Sequence, residues 1–293
     1  VTIKETSVAG RIILTSTLGF LLLHAAIAAD EPSSKPVTAA PGLVIERIPV
    51  SIPPPVQAGN GIITLVRIDP QRYELRLLTA AMHGERTAPR WVEDFDLTGV
   101  INASMFRSTD SRSTGFMVDG EEVNNSFVNP AFGAFLAFAP RVPQIAPVEL
   151  YGRQCEGFDL SRIRDSYDVI IQNYRMLDCN GNSIAWKDPK IYSVAAVGVD
   201  RDGWVVFIHS RTPYRMSDFN RMIASADLRI RAAMFVEGGP EASLYVKTDE
   251  VLVREMGSYE SDFTEDDANT VFWPIPNVIG FLPVGASRNH DHP

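Results

Sequence analysis

Histidine and cysteine are scarce in this chain, with five and two respectively among 293 residues. A structural zinc site needs four such ligands. His24, His290 and His292 lie near the chain ends, which leaves only His83 and His209 in between. A histidine-rich metal centre is therefore not expected, and neither is a cofactor. There is no Gly-x-Ser-x-Gly elbow, no His-Glu-x-x-His pair and no P-loop, so three familiar hydrolytic and nucleotide-binding chemistries drop out. Basic excess is lacking too: 27 Lys and Arg face 36 Asp and Glu, a formal net charge of -9. Duplex-binding proteins carry a basic stripe, so nucleic acid is not an expected partner. After the first thirty residues no apolar run is long enough to cross a bilayer, and no stable membrane span is expected.

What is present begins with Lys4 and Arg11, followed by the apolar run Ile12 to Ile27 and the small residues around Ala28 and Ala29. This is the pattern of a cleaved export signal over 1–29, and it predicts a periplasmic or secreted protein. No cysteine stands at the cut. Residues 30–58 are rich in Pro, Ser and Ala and read as a linker. The folded domain is expected over 59–284, followed by a disordered tail over 285–293. In an oxidising compartment Cys155 and Cys179 can pair, at roughly 3 kcal/mol in the chain-entropy view. Two buried free thiols are the alternative, since spacing alone does not bring the sulfurs together.

Apolar runs predict strands at 62–68, 73–79, 100–101, 115–118, 133–139, 169–171, 194–199, 204–208, 232–236, 244–246 and 278–282. Asp200-Arg201-Asp202-Gly203 predicts a hairpin turn. One amphipathic helix is expected after Ser217, its N-cap, with Phe219, Met222, Ile223 and Ala226 on one face. A helical turn is expected at 91–95. Many strands and few helices, without βαβ repetition, predict an α+β domain built on a β-rich mixed sheet.

Two places suggest chemistry. Glu237-Gly238-Gly239 follows an apolar strand directly. A carboxylate at a strand end, followed by glycines that admit close backbone approach, suits a ligand site; a tight turn with a solvated Glu is the bland alternative. Asn102 ends another apolar strand, and its amide can both donate to and accept from a sugar hydroxyl, or can cap a turn. Arg107, Arg211 and Arg215 follow strands in polar stretches, and each can pair with a phosphate in a fork, or lie on the surface. The acidic run Glu265-Asp266-Asp267 lacks the spacing of a calcium loop and reads as a solvated face.

Taken in order, four segments resemble the phosphodiester glycosidase family, to which the lysosomal uncovering enzyme belongs. They are Asn102-Ala103-Ser104-Met105-Phe106, Gly115-Phe116-Met117-Val118-Asp119-Gly120, the stretch Gln172 to Gly181, and Ala233-Met234-Phe235-Val236-Glu237-Gly238-Gly239. The chain departs from the family pattern at Ser104 (a glycine there), Arg175 (a proline there) and Glu237 (an aspartate there). The resemblance implies a hydrolase that splits the glycosidic bond of a sugar-1-phosphodiester, acting in envelope or exopolysaccharide metabolism on a glycan or small-molecule phosphodiester. It implies catalytic roles for Glu237, as water activator or cation stabiliser, and for Asn102. Substrate binding would fall to Gly238, Gly239, Arg211, Arg107 and Gly115. A non-catalytic phosphoglycan-binding or polysaccharide-assembly protein, or a module whose site has decayed, would share these motifs.

Overall fold

The computed structural model describes residues 35–286. The expected signal and all but the first two residues of the expected tail lie outside them. In chain order the strands are β1 (Val37–Ala40), β2 (Leu43–Pro49), β3 (Ile62–Ile68) and β4 (Tyr73–Thr79). Helices α1 (Ala80–His83) and α2 (Ala88–Asp94) follow, then β5 (Gly99–Asn102), β6 (Met117–Asp119), β7 (Glu122–Asn125), β8 (Ala134–Pro140) and β9 (Val148–Gly152). Next come α3 (Leu160–Ser166), β10 (Tyr167–Asn173), β11 (Tyr192–Asp200), β12 (Val205–Tyr214) and α4 (Met216–Ile223). The last strands are β13 (Ile230–Gly238), β14 (Ser243–Lys247), β15 (Leu252–Met256) and β16 (Asn277–Pro283).

These strands form three sheets, ordered β1-β2-β3-β12-β11-β13, β7-β6-β10-β8-β9 and β15-β14-β5-β16-β4. The β-rich α+β expectation holds, but the sheets are not mixed: the ladders between named strands are antiparallel.

The sheets meet face to face. The largest core cluster takes Val66 and Phe207 from the first, Leu136 and Ile171 from the second, and Ile101 and Ile279 from the third. A helix covers the far side of each. Phe219, Met222 and Ile223 of α4 pack on Leu65, Val206 and Ile208. Trp91 and Val92 of α2 join Val100, Tyr245 and Val278. Ile163 of α3 joins Phe135 and Ile170. Burial on both faces explains why β11 and β16 read as near-continuous apolar runs rather than alternating ones. No described helix is long and apolar enough to cross a membrane.

Three local expectations are corrected. The Pro/Ala-rich stretch read as a linker contributes β1 and β2, which extend the first sheet through β3. Pro41-Gly42 closes that hairpin, Gly42 taking φ +80°, and Leu43 and Ile45 enter the core. Ser217 is not the cap of α4. That position falls to Arg215, while the Ser217 hydroxyl donates to the Trp186 carbonyl (2.9 Å) and accepts from the Trp186 N–H (2.8 Å). The acidic run Glu265-Asp266-Asp267 is not wholly a solvated face, because Asp267 accepts a hydrogen bond from the buried Ser258. The Asp200 hairpin forms as expected, its carboxylate accepting from the N–H groups of Asp202 and Trp204, both at 2.9 Å. Cys155 and Cys179 form a disulfide, with Cα atoms 5.6 Å apart.

Candidate active site

β13 lies at the edge of the first sheet, and its free side is covered by the chain leaving β10. Phe235 N–H donates to the Tyr174 carbonyl and Met176 N–H to the Ala233 carbonyl, both at 3.0 Å. This docking brings the third and fourth family-like segments side by side. At the seam opens a cavity of about 1070 Å³. Tyr174, Trp186, Tyr192 and Phe235 form an aromatic wall, with ring centroids 4.9–5.8 Å apart along the series. Ser217 and Asn220 of α4 hold the backbone at 184–186, and the Trp186 indole N–H donates to the Arg175 carbonyl (3.2 Å), so the wall is fixed. Glu237, Glu241, Glu260, Asp178 and Asp188 supply carboxylates, and Arg175, Lys187 and Lys190 supply cations. An apolar wall with a few convergent charged groups is the composition of a small-molecule site. Among the described residues no set of three or more His, Cys, Asp or Glu is disposed to hold a metal ion.

Glu237 is the chemically distinctive member. Its pairing with β11 is preceded by a bulge, where Ala196 faces Phe235 and Ala195 faces Glu237, leaving Val236 over. Bulges commonly re-aim side chains beside sites. The residue as a whole is half-buried and lines the cavity, yet its Oε2 is fully buried and has no hydrogen-bond partner. Oε1 accepts from the Gly238 N–H (3.0 Å). Burial drives the carboxyl well above the ordinary carboxylate range. The Gly238 N–H opposes this, and the nearby Glu241 and Glu260 add to it. Glu241 and Glu260 are themselves raised, chiefly by burial. A carboxyl raised in this way is suited to hold a proton and hand it on, beside the roles of water activator or cation stabiliser expected from sequence.

The other nominated residues fall mostly one layer behind the cavity. Asn102 is 1% exposed and does not line it. Its amide nitrogen donates to the Glu241 carbonyl (3.1 Å) and its oxygen accepts from the Ser243 N–H (2.7 Å). It therefore clamps the turn that carries Glu241, and its burial sets it apart from a ligand in the cavity. Arg211 donates to the carbonyls of Met256, Asp267 and Asn269 and pairs with Asp267 (2.7 Å), so it anchors the loop that delivers Glu260. Burial works against the Asp267 charge, but hydrogen bonds from Ser258 and the Gly59 N–H, together with Arg211, bring its carboxyl below the usual range. Arg107 forks onto Asp110 at 3.0 and 2.6 Å on the surface, and Arg215 donates to the Pro189 carbonyl. A Cβ at Gly115 would meet the Gln172 carbonyl at 2.6 Å and the Phe132 ring, which makes it a packing glycine.

Gly238 lines the cavity, but a Cβ there would meet Tyr192 at 2.9 Å, and at Gly239 (φ +65°) one would collide with the Glu260 carboxylate. These glycines make room for protein groups that face the cavity. Ser104, where the family has glycine, is buried with its hydroxyl 2.9 Å from that of Ser113.

The clamp gives a testable consequence. Asn102→Ala would leave the buried Ser243 N–H without an acceptor, at a cost of about 1–3 kcal/mol, read as a lower urea midpoint with an unchanged slope. An unchanged midpoint would show that Asn102 does not hold the turn.

Sequence reasoning missed Glu241, Glu260, Arg175 and the aromatic wall. Glu260 follows the buried Ser258 in an acidic stretch that reads as surface, and only its bridges to Tyr192 and Thr264 place it here. Arg175 carried a signal, as a charged residue at a position where the family has proline.

Comparison with known proteins follows this geometry. The sequence profile described as phosphodiester glycosidase matches residues 95–282. No curated protein sequence matches the chain. Among solved structures, a hypothetical protein from Synechocystis superposes with a TM-score of 0.58 at 14% identity, over 86% of this chain and 64% of that one. This chain thus spans slightly under two thirds of that protein's length. The catalytic domain of zebrafish N-acetylglucosamine-1-phosphodiester alpha-N-acetylglucosaminidase, auto-inhibited by its pro-peptide, superposes with a TM-score of 0.56 at 13% identity, over 83% of this chain and 84% of that one. At these identities the likeness is one of fold.

Proposed function

The chain belongs to the phosphodiester glycosidase family, and from that premise we propose that it hydrolyses the glycosidic bond of a sugar-1-phosphodiester in the cavity beside β13. The observation that carries this reading is Glu237 on the cavity wall, its Oε2 without a partner and its carboxyl raised by burial first and then by two neighbouring acids.

The chemistry then runs as follows. The sugar ring lies against the aromatic wall, where flat apolar faces meet its C–H groups. A water oxygen attacks the anomeric carbon. The bond from that carbon to the phosphate oxygen breaks, and its electron pair stays with the phosphate. Glu237 gives its proton to that oxygen, and Glu260, less buried, takes a proton from the attacking water. A phosphate monoester leaves readily, so the proton from Glu237 assists a departure that is already favourable. Glu241 acts by its charge, keeping the proton on Glu237.

The Cys155–Cys179 disulfide supports an oxidising compartment, periplasmic or secreted, where envelope or exopolysaccharide phosphodiesters are met. Incubated with a sugar-1-phosphodiester, the purified protein is expected to release free sugar and phosphomonoester in equal amounts. Saturable binding without either product would favour a phosphoglycan-binding protein instead.

A further inference from the structure

The nominated arginines are all occupied elsewhere: Arg107 by Asp110, Arg211 by Asp267 and three carbonyls, Arg215 by the Pro189 carbonyl. Arg175 is different. It lines the cavity, and among the described residues no carboxylate lies within ion-pair distance of its guanidinium. Asp178 attracts it from farther off, but the Asp178 oxygens accept from the N–H groups of Asn180 and Asn182 and from the Asn182 side chain. The Arg175 contact through a side-chain N–H is Nη2 to the Cys155 Sγ (2.9 Å), and a disulfide sulfur is a weak acceptor.

The fold makes room for this side chain. A Cβ at Gly152 would meet Arg175 Cζ at 2.5 Å, Nη1 at 2.7 Å and the Cys155 Sγ at 2.7 Å; one at Gly133 would meet Arg175 Cβ at 3.4 Å. The guanidinium is thus seated against Gly152 and the disulfide, partly desolvated and without a carboxylate at ion-pair distance. A cation in that state lacks the pairing that usually offsets burial. A guanidinium fork matches an oxyanion in a planar, two-point contact.

We propose that Arg175 is the residue of this chain that grips the substrate phosphate, with the Cys155–Cys179 disulfide holding it in place. The proposal deepens the hydrolase reading and rests on it for the identity of the natural ligand, which here is a phosphoryl oxyanion carried by a diester. The site itself is set by Arg175, Gly152 and the disulfide, and it is tested without turnover.

The experiment titrates inorganic phosphate into the oxidised protein by calorimetry, for the wild type and for Arg175→Gln, Arg175→Lys and Glu237→Gln. Wild-type protein is expected to bind one phosphate, with affinity falling as salt rises. Arg175→Gln should bind roughly 10–100-fold more weakly, as suits the loss of charge-assisted hydrogen bonds, and Arg175→Lys should fall between the two. Glu237→Gln should bind phosphate at least as tightly as the wild type. Phosphate binding that is equal in wild type and Arg175→Gln, or absent from the wild type, overturns the proposal. Should Arg175→Gln not fold, undiminished binding by Arg175→Lys overturns the forked contact in the same way. A protein that binds phosphate through Arg175 but releases no sugar retains the anion site while refuting the hydrolytic reading.

Discussion

Glu237→Gln is expected to lower kcat by about 10²–10⁴-fold while leaving the fold and KM nearly unchanged. The amide is isosteric with the carboxyl, and its oxygen can still accept from the Gly238 N–H. What it lacks is a proton it can release. Since Oε2 of Glu237 has no other partner, no structural bond is lost with it. Glu237→Asp would withdraw the group by one methylene and is expected to lie between the two, because small displacements of a reacting group are costly. The check is steady-state kinetics on a sugar-1-phosphodiester, with thermal melts alongside. A variant that keeps full turnover would remove Glu237 from the chemistry.

The second large effect is on stability and follows from the same buried acid. The folded-state value of Glu237 lies well above its ordinary one, through burial first and then Glu241 and Glu260. Between the two values the folded chain holds a proton that the unfolded chain has released. The stabilisation is therefore complete below the ordinary carboxylate range and is lost as pH rises towards the folded value. In that window the loss is about 1.4 kcal/mol per pH unit for this group. Glu237→Gln removes the slope. The variant should match the wild type at and below the ordinary carboxylate range and become progressively more stable than it as pH rises from there towards the folded value, with roughly 2–4 °C in Tm for each kcal/mol. Asp267, whose carboxyl is lowered, contributes with the opposite sign at acidic pH, but it is common to both proteins and cancels in the difference. A constant difference in Tm across this range would mean that Glu237 is ionised in the folded state.

Ile62–Ile68 and Val278 to Leu282 announce themselves as apolar runs because sheets pack inside and helices outside, and Tyr73–Thr79 is legible by the alternation of Glu74 and Arg76 with buried apolar residues. The strands β1 and β2 were obscured by their proline-rich setting, although Leu43-Val44-Ile45 is an apolar run of β-branched character whose burial alternates in the structure. Strands β9 and β15 are short edge strands, where few side chains are buried and the pattern is weak.

In the site, Glu237 was legible because a carboxylate between an apolar strand and two glycines breaks a local rule. The upward shift of its carboxyl was not, since that depends first on burial and then on Glu241 and Glu260 arriving from elsewhere. Asn102 and Arg211 were recognised as out of the ordinary but given the wrong partner. Sequence shows a polar group in an apolar setting; only tertiary placement shows whether it faces a ligand or, as here, the carbonyls and N–H groups of the segments bearing Glu241 and Glu260. Arg175 was seen as a departure from the family, and the glycine slot around it gives that departure a physical setting.

The account stands or falls on which bond is cut. Turnover of a sugar-1-phosphodiester in ¹⁸O-labelled water, with the released phosphomonoester analysed by mass, reads this directly. Attack at the anomeric carbon, as the Glu237 cavity requires, leaves the phosphomonoester free of label. Label in the phosphomonoester would mean attack at phosphorus, and the assignment of Glu237 as proton donor to a departing phosphate would be wrong.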